Sequence, residues 1–313
     1  MKRFFAFSLV LVVALTGLYL TQRGKHLDTV SPDAILDVAA DFQRDLSRAP
    51  MQVTRLPEDS EIRIGNELAE EYLRVEPEHS AEMQTVEKYV SGVGDRVAAR
   101  AHRKLPYRFH LVASPNLINA FALPGGHVFV GLGLLHELTS EDELACVLGH
   151  EIEHIDHYHA AERIQIEAQL KKLDLDAIAA LAQIPLELWQ AGYSKEQELE
   201  ADHEGLRLAA AAGYSPEGAV KVFGRWAELH REHVTHASTP VDELSQVAID
   251  GLQGYFRSHP PPEERLEEAK KVIAEDGLDA TRQLTPLAVH SLLQTKRSLA
   301  STTKNAGDTQ LGR

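Results

Sequence analysis

The segment Leu148-Gly149-His150-Glu151-Ile152-Glu153-His154 contains the pattern HExxH inside an apolar-periodic run. On a helix, His150 and His154 lie one turn apart on the same face. Both imidazoles can then bind one Zn²⁺ at ~2.0–2.1 Å. Glu151 lies about 100° further around the helix and can act as general base on an attacking water. The spacing therefore predicts the centre of a zinc-dependent hydrolase.

The residues around the motif predict that it is helical. Ser140 and Glu143 have the spacing of a capping box. An apolar stripe follows at helical spacing, on the face opposite the histidines: Leu144, Val147, Leu148, Ile152 and Ile155. The alternative is a chance match in a chain with 16 His. Such a chain would be a helical envelope protein without stoichiometric zinc.

Composition excludes some classes of partner. The formal net charge of −15 argues against a nucleic-acid-binding protein, which needs a basic face, and disfavours tight binding to anionic lipid headgroups. The single cysteine, Cys146, permits no intramolecular disulfide and is predicted to be a small core residue.

Residues 1–25 have the composition of a targeting segment. Lys2 and Arg3 precede an uncharged apolar run from Phe4 to Leu20, which fits a secretory signal but is also at the short limit for a membrane span. A cleaved signal peptide and an N-terminal membrane anchor both remain open, as does a buried N-terminal helix. Either of the first two predicts a protein of the cell envelope, in the periplasm, soluble or anchored in the inner membrane by residues 4–20.

The rest of the chain divides into three parts. Residues 26–56 are predicted to be an N-terminal helix and linker, residues 57–274 the zinc metalloprotease domain, and residues 275–313 a C-terminal tail with a disordered end.

A strand is predicted shortly before the motif helix. The turn at Pro124-Gly125-Gly126 leads into His127, Val128, Phe129 and Val130. The proline and glycines favour a position at the edge of a sheet, where a peptide could add as a further strand. An ordinary hairpin strand of the core is the alternative.

Zinc in a hydrolase needs a third protein ligand and an open position for water. Glu198 and Asp202 share one helical face, so one can bind zinc while the other holds a ligand histidine through its second nitrogen. As a plain charge run, this segment would be a solvated face. His157 and His159 are predicted to follow on the motif helix, with His157 ~10.5 Å along it from His150. That is too far to share the ion, so solvated or otherwise satisfied histidines are favoured over residues that support a zinc ligand or line the cleft.

Four segments in this order resemble the gluzincin metallopeptidase family 48, which includes the HtpX, CaaX prenyl endopeptidase, Oma-type and BepA-like proteases. The segments are Asn119–Gly126, Gly149–His159, Glu198–Asp202 and His259–Arg265. The resemblance covers roughly Pro57 to Ala274 and implies an α+β, zincin-like fold. That fold is mostly helical, with a small sheet whose edge strand precedes the HExxH helix.

The resemblance also implies roles for individual residues. His150, His154 and Glu198 would bind one zinc ion per chain, Glu151 would be the base, and Asp202 would hold a ligand histidine. The remaining implied positions are the substrate-binding strand His127–Val130, His259 as a regulatory fourth zinc ligand, and Arg265 facing the cleft. For His259, a helix-start residue without metal contact is the alternative.

Two departures from the family pattern narrow the function. The chain has one apolar N-terminal segment, so a CaaX substrate is not expected. No helical repeats follow Arg265, so the partner-docking platform of BepA-like proteins is not expected. The sequence predicts an endopeptidase acting on unfolded or misassembled envelope proteins. The alternative is a zinc-binding periplasmic chaperone or assembly factor with latent or little proteolysis.

Overall fold

The computed structural model describes residues 56–76, 79–170, 193–235 and 259–289. They all belong to one compact unit, Leu56–Arg313. The predictions for the targeting segment, for residues 26–55 and for the end of the tail lie outside the described residues. The elements are α1 (Glu58–Val75), α2 (Ala81–Ala98), β1 (Arg108–Val112), β2 (Ala120–Leu123), β3 (His127–Gly131), α3 (Leu132–Glu137), α4 (Glu141–Asp156), α5 (His159–Leu170), α6 (Lys195–Ala211), α7 (Glu217–Thr235) and α8 (Pro262–Asp276).

Helices dominate, and the sheet is small, as predicted for an α+β protein. Helix α2 shows why the helices form. Ser80 caps it by accepting a hydrogen bond from the Met83 amide at 3.4 Å. Its valines recur at helical spacing and are fully buried: Val86, Val90, Val93 and Val97. None of the described helices combines the length and the apolar character needed to cross a membrane.

The strands form a sheet in the order β1-β3-β2. Strand β1 runs parallel to β3, with Arg108 opposite His127. Strand β2 runs antiparallel to β3 and joins it through the turn Pro124–Gly126. Gly125 and Gly126 adopt positive φ values of 76° and 108°, which glycine tolerates at no steric cost.

The edge position predicted for His127–Val130 was wrong. Strand β3 is paired on both sides, so its backbone is not open to a substrate strand. Strand β2 is as buried as β3 but, within the described residues, is paired on one side only. Pro124, which favoured an edge, lies in the turn and not in the strand. The continuous run of buried residues in β3 is typical of a central strand.

Helix α4, which carries the HExxH motif, crosses α6 at two glycines. A Cβ on Gly149 would lie 2.4 Å from the Gly205 carbonyl oxygen, and one on Gly205 would lie 2.5 Å from the His150 amide nitrogen. Both obstacles are backbone atoms, so neither can move aside as a flexible side chain would. The two helices therefore approach more closely than side chains at the crossing would permit.

Replacing Gly205 with Ala is expected to lower the free energy of unfolding by about 1–3 kcal/mol, because the new methyl group overpacks the crossing. Gly224→Ala in α7 is the matched control. A Cβ there meets nothing within 4 Å, so that change should stabilise the chain by about 0.5–1 kcal/mol. Urea denaturation measures the free energy of unfolding of both variants and of wild type. Equal stabilisation by the two changes would contradict close packing at the crossing.

Candidate active site

Helix α4 is fixed at its start before it reaches the motif. The Ser140 hydroxyl accepts a hydrogen bond from the Glu143 amide at 3.2 Å. The buried Asp142 carboxylate accepts one from the Ser215 amide at 2.7 Å, just before α7. Leu144, Leu148 and Ile152 are fully buried on the apolar face. Burial of this face determines which side of α4 presents the histidines.

Four side chains from three parts of the chain converge. His150 and His154 come from α4, Glu198 from the first turn of α6, and His259 from the segment before α8. One potential ligand atom from each lies within 4.8 Å of the others. The two Nε2 atoms of His150 and His154 are 3.1 Å apart. Glu198 oxygens lie 3.6 Å and 3.7 Å from them, and His259 Nδ1 lies 2.7 Å from Glu198 Oε2.

This set of ligand atoms fits zinc. Three imidazole nitrogens and one carboxylate oxygen are ligands that Zn²⁺ accepts, and two such atoms at ~2.0–2.1 Å from one tetrahedral ion lie about 3.4 Å apart. All four residues are buried. Burial lowers the pKa of both His150 and His154, so the neutral imidazole that a metal requires is favoured.

His150 is oriented from behind by Asp202 and Arg265. Its Nδ1 lies 2.9 Å from Asp202 Oδ1, so it can donate a proton there while Nε2 faces the cluster. The Arg265 Nε donates to Asp202 Oδ2 at 2.9 Å. Burial alone would raise the pKa of Asp202. The Arg265 charge and the His150 hydrogen bond outweigh it and hold that pKa well below its usual range.

His154 is oriented by a second chain of contacts. Its Nδ1 lies 3.0 Å from His159 Nδ1, and His159 Nε2 lies 3.1 Å from Glu200 Oε2. With His154 Nε2 facing the cluster, its Nδ1–H donates to His159, and the Nε2–H of His159 donates to Glu200. The Tyr193 ring stacks on His154 at 3.9 Å between ring centroids, which restricts rotation of that imidazole.

Sequence reasoning missed the role of Glu200, and for His159 it kept a supporting role only as the less favoured alternative. The prediction that His159 continues the motif helix was wrong, because α4 ends at Asp156 and α5 begins at His159. Tyr158, with a φ of 63°, turns the chain between them. This turn brings His159 back against His154, which helical spacing does not predict.

Glu151 is almost fully buried beside the cluster, at 2% exposure. Burial and then the neighbouring Glu198 charge raise the pKa of Glu151 to about 8. A divalent cation in the cluster would act in the opposite direction, because a positive charge favours the carboxylate. A general base works best when its pKa lies near the working pH. These two opposing effects act on the pKa of Glu151 in that range.

Comparisons with known proteins agree with this geometry. The sequence model described as "Peptidase family M48" matches residues 84–273. The chain belongs to this family. Family M48 metallopeptidases use zinc, and the buried cluster could hold one such ion. The resemblance predicted from the four segments is thus confirmed.

Among the curated relatives are two kinds of protease. The chain is 29% identical, over 64% of its length, to a putative beta-barrel assembly-enhancing protease of Vibrio cholerae, of which 40% is covered. It is 31% identical, over 56% of its length, to a mitochondrial metalloendopeptidase OMA1 of Arabidopsis thaliana, of which 33% is covered. The Schizosaccharomyces pombe OMA1 is 36% identical over 44% of the chain, with 43% of that protein covered. The chain thus spans less than half the length of these M48 relatives.

Proposed function

We propose that the protein is a zinc-dependent endopeptidase of the cell envelope that cleaves unfolded or misassembled proteins. The observation that carries the proposal is the convergence of His150, His154 and Glu198 beside the buried Glu151 carboxylate. The related assembly-enhancing proteases and metalloendopeptidases support peptide bonds as the substrate class. The apolar run at residues 4–20, which would be a signal or an anchor, supports the envelope.

In this proposal His150, His154 and Glu198 would hold the metal, and residues 57–274 are the catalytic domain. Bound zinc would supply polarisation of the scissile carbonyl and a lower pKa for water. Glu151 takes a proton from the water that attacks the carbonyl carbon. It then delivers that proton to the amide nitrogen as the C–N bond breaks, so the carboxylate is regenerated. Asp202 and His159 hold the two histidines in the tautomer that this requires.

The proposal assigns the substrate backbone to the outer edge of β2. Within the described residues, β2 is an edge strand of the sheet and packs against α4. An extended peptide added to Ala120–Leu123 would pair through main-chain hydrogen bonds, so recognition would depend little on side-chain identity. Such recognition suits unfolded chains, whose backbones are accessible.

Zinc content and casein cleavage by the full chain, compared with Glu151→Gln, test the proposal. The proposal is supported if the zinc-loaded wild-type chain cleaves casein and the Glu151→Gln variant does not. A chain that takes up no zinc contradicts it.

His259 gives a specific reason to keep the second candidate, a zinc-binding chaperone or assembly factor. Its imidazole contacts Glu198 at 2.7 Å and would fill the fourth zinc position, where a hydrolase needs water. A permanent His259–zinc bond would leave metal binding without turnover.

Replacing His259 with Ala is expected to raise casein cleavage by about tenfold or more. A histidine–metal contact worth only ~1.4 kcal/mol already changes a rate tenfold. The measurement is the initial cleavage rate of zinc-loaded protein. The double variant with Glu151→Gln serves as the inactive control. Zinc binding without cleavage in both wild type and His259→Ala would instead favour the chaperone.

A further inference from the structure

A second group of side chains that could bind a metal lies next to the catalytic cluster, and only His159, which orients His154, takes part in the proposed reaction. It consists of His157, His159 and Glu200, and one potential ligand atom of each lies within 4.8 Å of the others. His157 Nδ1 is 3.1 Å from Glu200 Oε1, and His159 Nε2 is 3.1 Å from Glu200 Oε2. The two imidazoles thus face the same carboxylate from two sides.

The backbone arranges this group in an unusual way. His157 caps the end of α4, and His159 begins α5. Between them Tyr158 takes a left-handed φ of 63°, which is uncommon for a residue other than glycine or asparagine and costs free energy. The Arg103 guanidinium stacks over the Tyr158 ring at 3.9 Å and holds this turn in place. Residues two apart in sequence are thereby brought onto one side of the chain.

The opposite nitrogen of each imidazole has a partner that suits metal binding. His157 Nε2 lies 3.2 Å from the buried Glu153 carboxylate, whose negative charge favours a proton on that nitrogen while Nδ1 binds an ion. His159 Nδ1 faces His154 Nδ1 at 3.0 Å and can accept the proton that His154 carries. A metal on His159 Nε2 would simply replace the proton that Glu200 accepts. Partners of this kind fix the ring and the tautomer of metal-binding histidines.

We propose that His157, His159 and Glu200 form a second Zn²⁺ site, adjoining the catalytic site and distinct from it. Two imidazole nitrogens and one carboxylate oxygen provide three of the four positions that zinc prefers, with water at the fourth. The His157 and Glu200 side chains are 30% and 47% exposed, so the ion exchanges directly with solvent. The second site is therefore weaker than the buried one. It communicates with the first site through the His159–His154 contact.

Equilibrium dialysis of the full chain against a series of buffered free-zinc concentrations tests the second site. The Glu151→Gln background prevents self-cleavage. We expect one tightly bound ion and then a second, weaker one. The nearby Glu153 and Glu200 carboxylates raise the pKa of His157 to about 9, so zinc must displace a proton from it. The assay is best run at about pH 8 for that reason.

Two variants test whether the second, weaker zinc ion binds at this group. His157→Ala and Glu200→Gln should each raise the free zinc needed for the second ion by about tenfold or more. Uptake of the first ion should stay unchanged in His157→Ala only, because Glu200 also supports His154 through His159. His203→Ala is the matched control. This histidine also lies on α6, but it pairs with Glu268 at 3.0 Å, outside the group, so neither step should change. A thermal midpoint that rises at the second step in wild type, but not in His157→Ala, provides an independent readout.

The second site is overturned if wild type takes up only one ion over the whole zinc range. It is also overturned if both variants take up the second ion as wild type does. Neither result depends on peptidase activity. If the second ion binds but neither the chain with Glu151 intact nor its His259→Ala variant cleaves casein, this site stands and the proposed function is refuted. Casein cleavage by a chain that takes up only one ion over the whole zinc range would do the reverse.

Discussion

Replacing Glu151 with Gln is expected to reduce peptide-bond cleavage by about 10²–10⁴-fold, the usual contribution of a positioned general base. Gln is close to Glu in size and leaves the three zinc ligands in place. However, its amide cannot take a proton from water. The loss should therefore fall on the turnover number and not on metal content. The casein cleavage rate and the zinc content per chain are measured on the same preparation. Together they distinguish a loss of turnover from a loss of metal.

Glu153→Gln is the matched control for this experiment. Glu153 lies on the same helix and is equally buried, at 1% exposure, but its carboxylate faces His157 instead of the cluster. We expect this variant to cleave casein at close to the wild-type rate when the tight site is filled with zinc. Equal loss of activity in both variants would show that burial of a carboxylate on α4, and not the base at position 151, is what matters.

The central part of the site could be predicted because it depends on local spacing. His150, Glu151 and His154 are set by one turn of helix. Glu198 and Asp202 share a face of a second helix, but that spacing left open which of them would bind zinc. Only the resemblance to the family assigned Glu198 to the metal and Asp202 to a histidine. The structure brings the two pairs to the same place, with Asp202 behind His150 and Glu198 beside both histidines.

The parts that could not be predicted depend on contacts between distant segments. The helix crossing rests on Gly149 and Gly205, and no pattern in the sequence relates one glycine to the other. The left-handed residue Tyr158 carries no sequence signal, since residues that favour positive φ are glycine and asparagine. Strand β3 is central because β1 pairs with it in parallel, on the side away from β2. The turn residues Pro124–Gly126 do not predict that second partner.

Replacing Arg265 with Ala is expected to lower the free energy of unfolding by about 3–5 kcal/mol, because it leaves the Asp202 carboxylate buried without its cation. Arg265 is 1% exposed, donates to both Asp202 oxygens, and stacks over Phe223 at 4.3 Å. Zinc affinity should fall by about 10–100-fold as well, since Asp202 then holds His150 less firmly. Urea denaturation and zinc titration measure the two effects.

Two further variants show whether charge or shape is responsible. Arg265→Lys keeps the charge but loses the planar fork, so it should give an intermediate loss. Arg207→Ala removes an arginine that pairs with Asp276 at the surface, where water screens the pair, and should change little. Wild-type stability and zinc affinity in Arg265→Ala would contradict a positioning role for this residue.

The double variant Arg265→Ala/Asp202→Asn separates stability from positioning. Asn has nearly the shape of Asp but carries no charge, so the buried carboxylate that makes Arg265→Ala costly is gone, and part of the stability should return. Zinc affinity should not recover. An uncharged amide oxygen accepts the His150 Nδ1 proton more weakly than a carboxylate does. Recovery of stability without recovery of metal binding would show that the Arg265–Asp202 pair exists to orient His150, and that its burial is tolerated for that purpose.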